Sequence, residues 1–161
     1  MQNNVERVVE VLRAEGATGE VRMLEDSAPT AATAAAGLGV EVAQIANSLV
    51  FVADGEPLLV IASGGRRVDT TLLAQHLGVA KIRRADPELV RSHTGFAIGG
   101  VAPVGHRNPI RTVVDNSLAE WDEVWAAAGH PHSVFPTSYD ELLRITGGEA
   151  HDVRAEQAPT T

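Results

Sequence analysis

Two apolar segments joined by an Asp-Gly pair restrict the fold of this chain more than any other feature. Residues 48–53 and 58–62 are almost continuously apolar, and Asp54-Gly55 lies between them. Asp-Gly is a strong signal for a two-residue β-hairpin turn. Strands that are apolar throughout, without alternating polar positions, are usually covered on both faces. The segment therefore predicts a central hairpin with a layer of packing on each side of its sheet.

Helix and strand signals surround this hairpin. Apolar residues with helical spacing predict a first helix that ends at Gly16, and N-cap residues followed by helix-compatible stretches predict four more. Strands and helices alternate irregularly, which favours an α+β fold with a mixed sheet over a regular doubly wound one. We expect one domain over residues 1–153 and a loose tail at 154–161. The later helices are predicted at 31–38, 70–77, 87–91 and from 139 to Gly147, and the further strands at 21–24, 79–83, 110–114, 123–128 and 133–135.

Composition narrows the function classes. The chain has 161 residues, 44% of them hydrophobic, and no cysteine, which fits one globular domain without disulfides or thiolate chemistry. The net charge of −8 argues against wrapping DNA or RNA, because phosphate neutralisation needs clustered basic residues. The only basic clusters, at 66–67 and 81–84, are expected to form a solvated face. With no membrane-spanning run and no signal pattern, we expect a cytoplasmic protein without a membrane partner.

A glycine-rich stretch at residues 94–106 is the strongest functional signal. It holds Gly95, Gly99, Gly100, Gly105 and a proline among apolar residues. Apolar neighbours predict a buried backbone, and glycines allow a ligand to approach that backbone closely. Unpaired N–H groups in such a turn suit a carboxylate, a phosphate or the oxyanion of acyl transfer. The structural alternative is a tight turn with a bulge between two core strands.

Side-chain chemistry is sparse. The six histidines lack zinc-site spacing, and no serine lies in a nucleophile-elbow pattern. We therefore expect no metal and no cofactor, and an enzyme of this sequence would act through backbone polarity. Asn47, just before the first central strand, is either a pocket amide or a structural amide bonded to backbone. Asp115, at the end of a predicted strand, is either a pocket carboxylate or an N-cap.

Several segments together resemble the YbaK/prolyl-tRNA-synthetase-associated editing domain. The resemblance spans about residues 20–148, and its most specific part is a G-x-x-x-P pattern that Gly99 and Pro103 meet. The stretch ending at Asp115 and the strand around Trp125 fit it as well. The segments that carry the resemblance are residues 44–51, 62–69 and 94–106.

The resemblance implies a mixed, barrel-like sheet surrounded by helices. It also implies a freestanding trans-editing enzyme that hydrolyses the ester between a wrong small amino acid, such as alanine or cysteine, and the tRNA for proline or a related tRNA. In that interpretation the amides of Gly99, Gly100 and Val101 stabilise the oxyanion, with Asn47 beside them and water as the nucleophile. The residues implied to bind substrate are Thr30, Phe51, Ser63, Gly64, Ile98, Pro103, His106 and Asp115.

One position departs from the pattern. The best-understood deacylases of the family carry a lysine where this chain has Asn47, and an amide hydrogen-bonds without bringing a charge. A non-enzymatic module that binds an acylated ligand or a synthetase is therefore the alternative hypothesis. The expected partner is aminoacyl-tRNA, held with weak intrinsic affinity because the chain is acidic. We therefore expect a synthetase or an elongation factor as a further partner that delivers the substrate.

Overall fold

The computed structural model describes residues 3–25, 30–64 and 67–153. The tail predicted at 154–161 and one arginine of the basic cluster at 66–67 lie outside these residues. Each predicted helix is present, an N-cap side chain begins each of the four later ones, and the helix predicted at 87–91 continues to Thr94. The α-helices are α1 (Asn4–Ala14), α2 (Ala31–Leu38), α3 (Thr70–Leu77), α4 (Pro87–Thr94) and α5 (Tyr139–Thr146), and 3-10 helices span Val42–Gln44 and Asn116–Glu120.

The strands form one eight-stranded sheet that mixes parallel and antiparallel pairs. The strands are β1 (Arg22–Met23), β2 (Ile45–Ala53), β3 (Glu56–Ser63), β4 (Ile82–Arg84), β5 (Arg111–Asp115), β6 (Val124–Ala127), β7 (Ser133–Thr137) and β8 (Glu149–His151). Their order is β1-β7-β6-β2-β3-β5-β8, and β4 pairs with β2 beside that path. The α+β class with a mixed sheet is confirmed, whereas barrel-like closure remains a prediction.

The hairpin of β2 and β3 is central, as predicted. Asp54 and Gly55 close it with φ angles of 47° and 84°, the left-handed conformation that an Asp-Gly turn provides. Val50 and Ile61 belong to a large core on one face of the sheet, where α1 also packs. Phe51 belongs to a second core on the opposite face, together with residues of α3. Two-sided burial explains why both arms are apolar throughout.

Two parts of the chain differ from the prediction. The strand β8 was missed, because Glu149-Ala150-His151 has no apolar run and its pairing with β5 alone places it in the sheet. Residues 95–110 contain no strand and form an irregular loop between α4 and β5. This segment, hereafter the glycine loop, is therefore not a bulged turn between two core strands. Phe96, Val101 and Val104 are buried as predicted, whereas Ile98 is 50% exposed.

Helix α1 holds the glycine loop in place. The Asn4 side-chain amide donates to the Gly95 carbonyl at 3.1 Å, and Arg7 Nε donates to the Gly105 carbonyl at 2.8 Å. The Arg7 guanidinium also lies 4.9 Å from the centre of the Phe96 ring, a cation–π geometry. The loop backbone is thus fixed from its two ends by polar contacts to one helix. In the described part of the chain, no helix is long and apolar enough to cross a membrane.

Candidate active site

The site lies where one edge of β2 has no neighbouring strand. The strand β3 pairs along the whole of the other edge. On this edge, β6 pairs only with Ile45 and Ala46, and β4 pairs only with residues 51–53. Residues 47–50 therefore border a gap between β6 and β4, within the part of the chain that the structure describes.

The hydrogen-bonding register shows which backbone groups face the gap. The Gly64 amide donates to the Ile45 carbonyl, so odd-numbered residues of β2 direct their backbone groups to β3. The Val50 carbonyl accepts from the Ala85 amide, so even-numbered residues direct theirs to the opposite edge. The N–H of Ser48 accordingly faces the gap, and the described strand pairings give it no acceptor.

A cavity of about 320 Å³ occupies this gap. This volume is at the lower end of the range typical of small-ligand sites. A second, smaller hollow of about 30 Å³ adjoins it, and the two share Thr30, Ala31, Asn47, Ser48, Gly99 and Val101. The larger cavity is lined by Thr30, Ala31, Asn47, Ser48, Leu49, Val50, Arg84, Ala85, Val90, Ile98, Gly99 and Val101.

Five residues predicted from the sequence therefore lie around one cavity. They are Thr30, Asn47, Ile98, Gly99 and Val101. Thr30 is the N-cap of α2, where its hydroxyl accepts from the Thr33 amide at 3.2 Å. Asn47 is half-buried, and its side chain has no hydrogen bond to another described residue. That finding removes the structural alternative for Asn47 and leaves its amide available to a ligand.

Of the three amides predicted to stabilise the oxyanion, two have no acceptor among the described residues. The Gly100 amide donates to the Ala97 carbonyl at 2.9 Å, so the predicted role of Gly100 as a donor to substrate is wrong. Among the described residues, no acceptor is found for the amides of Gly99 and Val101. Gly99 has a φ of 90°, which favours glycine. A side chain on Gly100 would lie 3.1 Å from the Cα of His130, so its absence permits a close backbone approach.

Three residues predicted to bind substrate have structural roles instead. Phe51 is 2% exposed and packs in the second core, because neighbouring strand residues face opposite sides of a sheet. The Ser63 hydroxyl donates to the Ala43 carbonyl at 2.9 Å. A Cβ on Gly64 would lie 2.5 Å from the Ala31 Cβ, so this glycine lets α2 approach β3. None of the three lines either cavity.

The other three are also structural. Pro103 is buried and lines neither cavity. Asp115 is fully buried, and its two carboxylate oxygens accept from the Ser63 and Ser117 amides, each at 2.9 Å. Asp115 is thus an N-cap, one of its two predicted roles. His106 Nε2 donates to the Ala102 carbonyl at 2.7 Å, since a carbonyl can only accept.

The surroundings of His106 predict a loss of stability in mild acid. Burial lowers the pKa of His106 from 6.5, opposed by the hydrogen bond to Ala102 and aided by the charges of His93 and Arg7. The unfolded chain therefore binds a proton at a higher pH than the folded chain, so stability falls as pH drops below about 6.5. Urea unfolding at pH 7.5 and 5.5 measures how much free energy of unfolding is lost between the two pH values. This loss should be smaller in His106→Gln than in the unaltered protein, because the glutamine side chain can donate to the Ala102 carbonyl and does not titrate. Equal losses in the two proteins would contradict this assignment.

Three cavity residues were not predicted. Ser48 and Trp125 each carry a buried polar atom, Oγ and Nε1, without a hydrogen-bond partner among the described residues. Arg84 is the one charged residue among those that line the larger cavity, and its guanidinium lies 5.5 Å from the centre of the Phe51 ring. A polar residue inside an apolar strand is the signal that marks Ser48. Within the described residues, no group of three or more His, Cys, Asp or Glu could hold a metal ion.

The sequence and the fold place the chain in a known class, the aminoacyl-tRNA editing domains. The family described as the aminoacyl-tRNA editing domain matches residues 25–145, more than half of the chain. The protein belongs to this family. Helix α1, which fixes the glycine loop, precedes the matched region.

Individual relatives agree with this assignment. A crystal structure of a protein proposed to be a trans-editing enzyme for prolyl-tRNA synthetase is 39% identical, with a TM-score of 0.89, and the match covers 97% of this chain and 99% of that one. The uncharacterised protein YwhH of Bacillus subtilis (strain 168) is 33% identical over 79% of this chain and 81% of its own length. A proline–tRNA ligase of Geobacter sp. (strain M21) is 38% identical over 52% of this chain, which is 15% of that ligase.

Proposed function

We propose that the protein is a freestanding trans-editing deacylase, which hydrolyses the ester of a mischarged tRNA at the gap in β2. One observation carries the proposal. The backbone amides of Gly99 and Val101 and the side-chain amide of Asn47 have no partner among the described residues, and all three residues line a single cavity of about 320 Å³. Two backbone donors beside an open space are what the oxyanion of acyl transfer needs. The related structure described as a trans-editing enzyme, matched over nearly its whole length, supports the same reaction.

The reaction needs no nucleophile from the protein. Water adds to the ester carbonyl carbon, and the Gly99 and Val101 amides stabilise the oxyanion that forms. The bond from that carbon to the ribose oxygen then breaks, and a proton from the attacking water ends on the ribose hydroxyl of the released tRNA. The second product is the free amino acid as its carboxylate, with one proton passed to solvent. A neighbouring ribose hydroxyl of the substrate can position the water, with Asn47 as its hydrogen-bond partner.

The residues that line the smaller hollow favour a small amino acid of the size of alanine or cysteine. Ala31 and Ala34 of α2 line the smaller hollow, and Trp125 and Pro131 are also among its lining residues. A larger side chain would have to displace these residues, whereas a small one would enter. A second pocket that admits only small errors supplies the selection that a synthetase site cannot achieve alone. The proposed substrate is therefore a small amino acid on the tRNA for proline or a related tRNA.

In the proposed reaction, Arg84 supplies the positive charge that a lysine at the position of Asn47 supplies in other deacylases of the family. Position 47 carries no charge, but the Arg84 guanidinium is exposed at the wall of the same cavity. Against a net charge of −8, the intrinsic affinity for tRNA should be weak and salt-sensitive. A synthetase or an elongation factor would then deliver the substrate. Arg84 is accordingly proposed to pair with a phosphate near the acylated end.

Arg84→Gln should weaken binding of aminoacyl-tRNA. We expect the slope of log affinity against log salt to fall by about 0.7, the value for one single-stranded phosphate contact. The matched control is Arg83→Gln, because Arg83 is also exposed but lines neither cavity. Binding measured by fluorescence anisotropy from low to physiological salt makes the comparison. Equal slopes for Arg84→Gln and the unaltered protein, or tight binding that salt does not change, would contradict this role.

The proposed activity is tested with a panel of mischarged tRNAs. Single-turnover hydrolysis is followed for one tRNA charged in turn with several small amino acids and with its correct amino acid. We expect hydrolysis above the uncatalysed rate for at least one small amino acid and none for the correct one. No hydrolysis above background on any member of the panel would refute the proposal.

Asn47 also favours a second candidate function, a binding module without catalysis. An uncharged amide in place of lysine is compatible with holding an acylated ligand or a synthetase without turning the ester over. Asn47→Lys discriminates between the two. Since Arg84 already supplies a charge, we expect the unaltered protein to be active and the lysine variant to change its rate by about tenfold or less. Activity that appears only in the lysine variant would identify the natural protein as a binding module.

A further inference from the structure

The main-chain groups of Ser48 meet the gap in β2 without a partner among the described residues. Its N–H and C=O both point away from β3, since even-numbered residues of β2 direct their groups to the opposite edge. On that edge the pairing with β6 ends at Ala46 and the pairing with β4 begins at Phe51. Ser48 is half-buried although its Oγ is buried, so the accessible surface of this residue lies on Cβ and the main chain. A donor and an acceptor of one residue therefore lie side by side along the larger cavity.

The length of the gap limits what can pair with this edge. A strand residue normally exchanges its N–H and C=O with one residue of a neighbouring strand. The stretch between β6 and β4 is only residues 47–50, about 13 Å at about 3.3 Å per residue, and usual strands have about 5–6 residues. Strands of the same sheet close both ends, so another strand has little room to run beside β2. The gap instead fits a compact group that offers one donor and one acceptor on one edge.

The walls of the larger cavity suit a flat, apolar ring. Val50, Val90 and Val101 belong to the large core on one face of the sheet, and Leu49 packs against the second core on the opposite face. A ring that pairs with the edge of β2 lies in the plane of the sheet, as a neighbouring strand does. Apolar side chains then cover both faces of that ring. A small aminoacyl group fills only part of about 320 Å³, which leaves room for the nucleoside that carries it.

We infer that the larger cavity is a nucleobase site, in which the main chain of Ser48 binds the amino edge of adenine. The inference rests on the proposed deacylase function, because the acylated nucleotide at the end of a tRNA is an adenosine. The adenine amino group donates to the Ser48 carbonyl, and a ring nitrogen beside it accepts from the Ser48 amide. Hypoxanthine has an oxygen in place of the amino group, so it meets the carbonyl with a second acceptor. The base thus holds the substrate at β2, while the amides of Gly99 and Val101 serve the ester.

Binding of stable substrate analogues tests the base site in the unaltered protein. Each probe is an alanyl amide of a 3′-amino-3′-deoxynucleoside, and the bases are adenine, hypoxanthine, 1-deaza-adenine and 7-deaza-adenine. Calorimetry should give the adenine probe about tenfold higher affinity than the hypoxanthine probe, the upper range for one neutral hydrogen bond. The deaza probe that lacks the accepting ring nitrogen should also bind about tenfold more weakly than the adenine probe. Equal affinities for adenine and hypoxanthine, or for adenine and both deaza probes, would overturn the inference.

Two substitutions of Ser48 isolate its amide. Ser48→Pro removes the N–H, and no strand hydrogen bond is lost with it, because the described pairings give this N–H no acceptor. Ser48→Ala is the reference, since both variants lack the hydroxyl and differ in the amide. Ser48→Pro should bind the adenine probe about tenfold more weakly than Ser48→Ala, whereas the deaza probe without the accepting nitrogen should not distinguish them. Equal affinities of the two variants for the adenine probe would contradict the assignment. If the proline variant does not fold, the four probes on the unaltered protein decide.

These binding measurements keep failure of the base site distinct from failure of the proposed function. The amide probes resist hydrolysis, so their affinities do not depend on catalysis. If no ester of the mischarged panel is hydrolysed but the adenine preference is present, the deacylase proposal fails and the base site stands. If esters are hydrolysed but the adenine and hypoxanthine probes bind equally, the base site fails and the deacylase proposal stands. The second result is also what a water molecule as the sole partner of the Ser48 groups predicts.

Discussion

Asp115→Asn is expected to lower the free energy of unfolding by about 3 kcal/mol. Each carboxylate oxygen of Asp115 accepts one backbone amide, from Ser63 and from Ser117, and the side chain is fully buried. An asparagine keeps one acceptor and turns its NH₂ group toward the other amide. Two donors then face each other without access to water, so one charge-assisted hydrogen bond is lost and the desolvation cost remains. Urea unfolding measures the change as a shift of the midpoint at constant slope.

Asp54→Asn is the matched control for this prediction. Asp54 also accepts two backbone amides, from Ala80 and Lys81, but it lies in an exposed turn. These hydrogen bonds lower the pKa of Asp54. The contribution of the Asp54 carboxylate to the free energy of unfolding is therefore present at neutral pH, and it is lost as the pH falls through that lowered pKa. Water can replace the lost acceptor there, so the destabilisation should be clearly smaller. Similar losses of free energy of unfolding in Asp54→Asn and Asp115→Asn would show that burial of the carboxylate does not determine the size of the destabilisation.

Gly99→Ala is expected to reduce the rate of ester hydrolysis about 100-fold. The φ of 90° at Gly99 is unfavourable for alanine, so the backbone of the glycine loop must rotate there. That rotation moves the Gly99 amide and the nearby Val101 amide away from the carbonyl oxygen. Removal of one such donor costs about 2.7–4 kcal/mol of the barrier in a comparable oxyanion hole. Single-turnover hydrolysis on the best substrate of the panel measures the effect.

Gly105→Ala separates lost catalysis from lost stability. Gly105 lies in the same glycine loop with a φ of 82°, and an added Cβ would make only ordinary contacts, the nearest at 3.6 Å. It lines neither cavity, so this variant carries a similar backbone strain without touching the site. Both variants should lose about 1–2 kcal/mol of stability. A comparable loss of rate in Gly105→Ala would assign the effect to the loop as a whole.

Much of the fold could be predicted because its signals are local. Caps such as Thr30, Asp69 and Ser138 mark helix starts through hydrogen bonds to residues three positions away. The two-sided burial of the hairpin follows from its composition. In contrast, β8 has polar residues and exists only through its pairing with β5, a long-range contact that no local pattern encodes.

The site was predicted less completely for the same reason. Asn47, Gly99 and Val101 belong to segments with recognisable motifs, and the fold brings them to one cavity. Ser63 and Asp115 belong to equally recognisable segments, but the hydrogen bonds that they make serve the fold. A motif does not distinguish a residue that holds the backbone from one that meets the substrate. The gap between β4 and β6, which exposes Ser48 and Arg84 to the cavity, arises from sheet order.

The position of the substrate in the gap of β2 is the central claim, and NMR tests it most directly. The probe is the alanyl amide of 3′-amino-3′-deoxyadenosine, titrated into the ¹⁵N-labelled protein. We predict that the amide signals of Ser48, Gly99 and Val101 shift together and saturably, while the Gly105 signal, in the same loop but away from the cavity, stays in place. Saturable shifts elsewhere, with these three amides unmoved, would contradict the site described above.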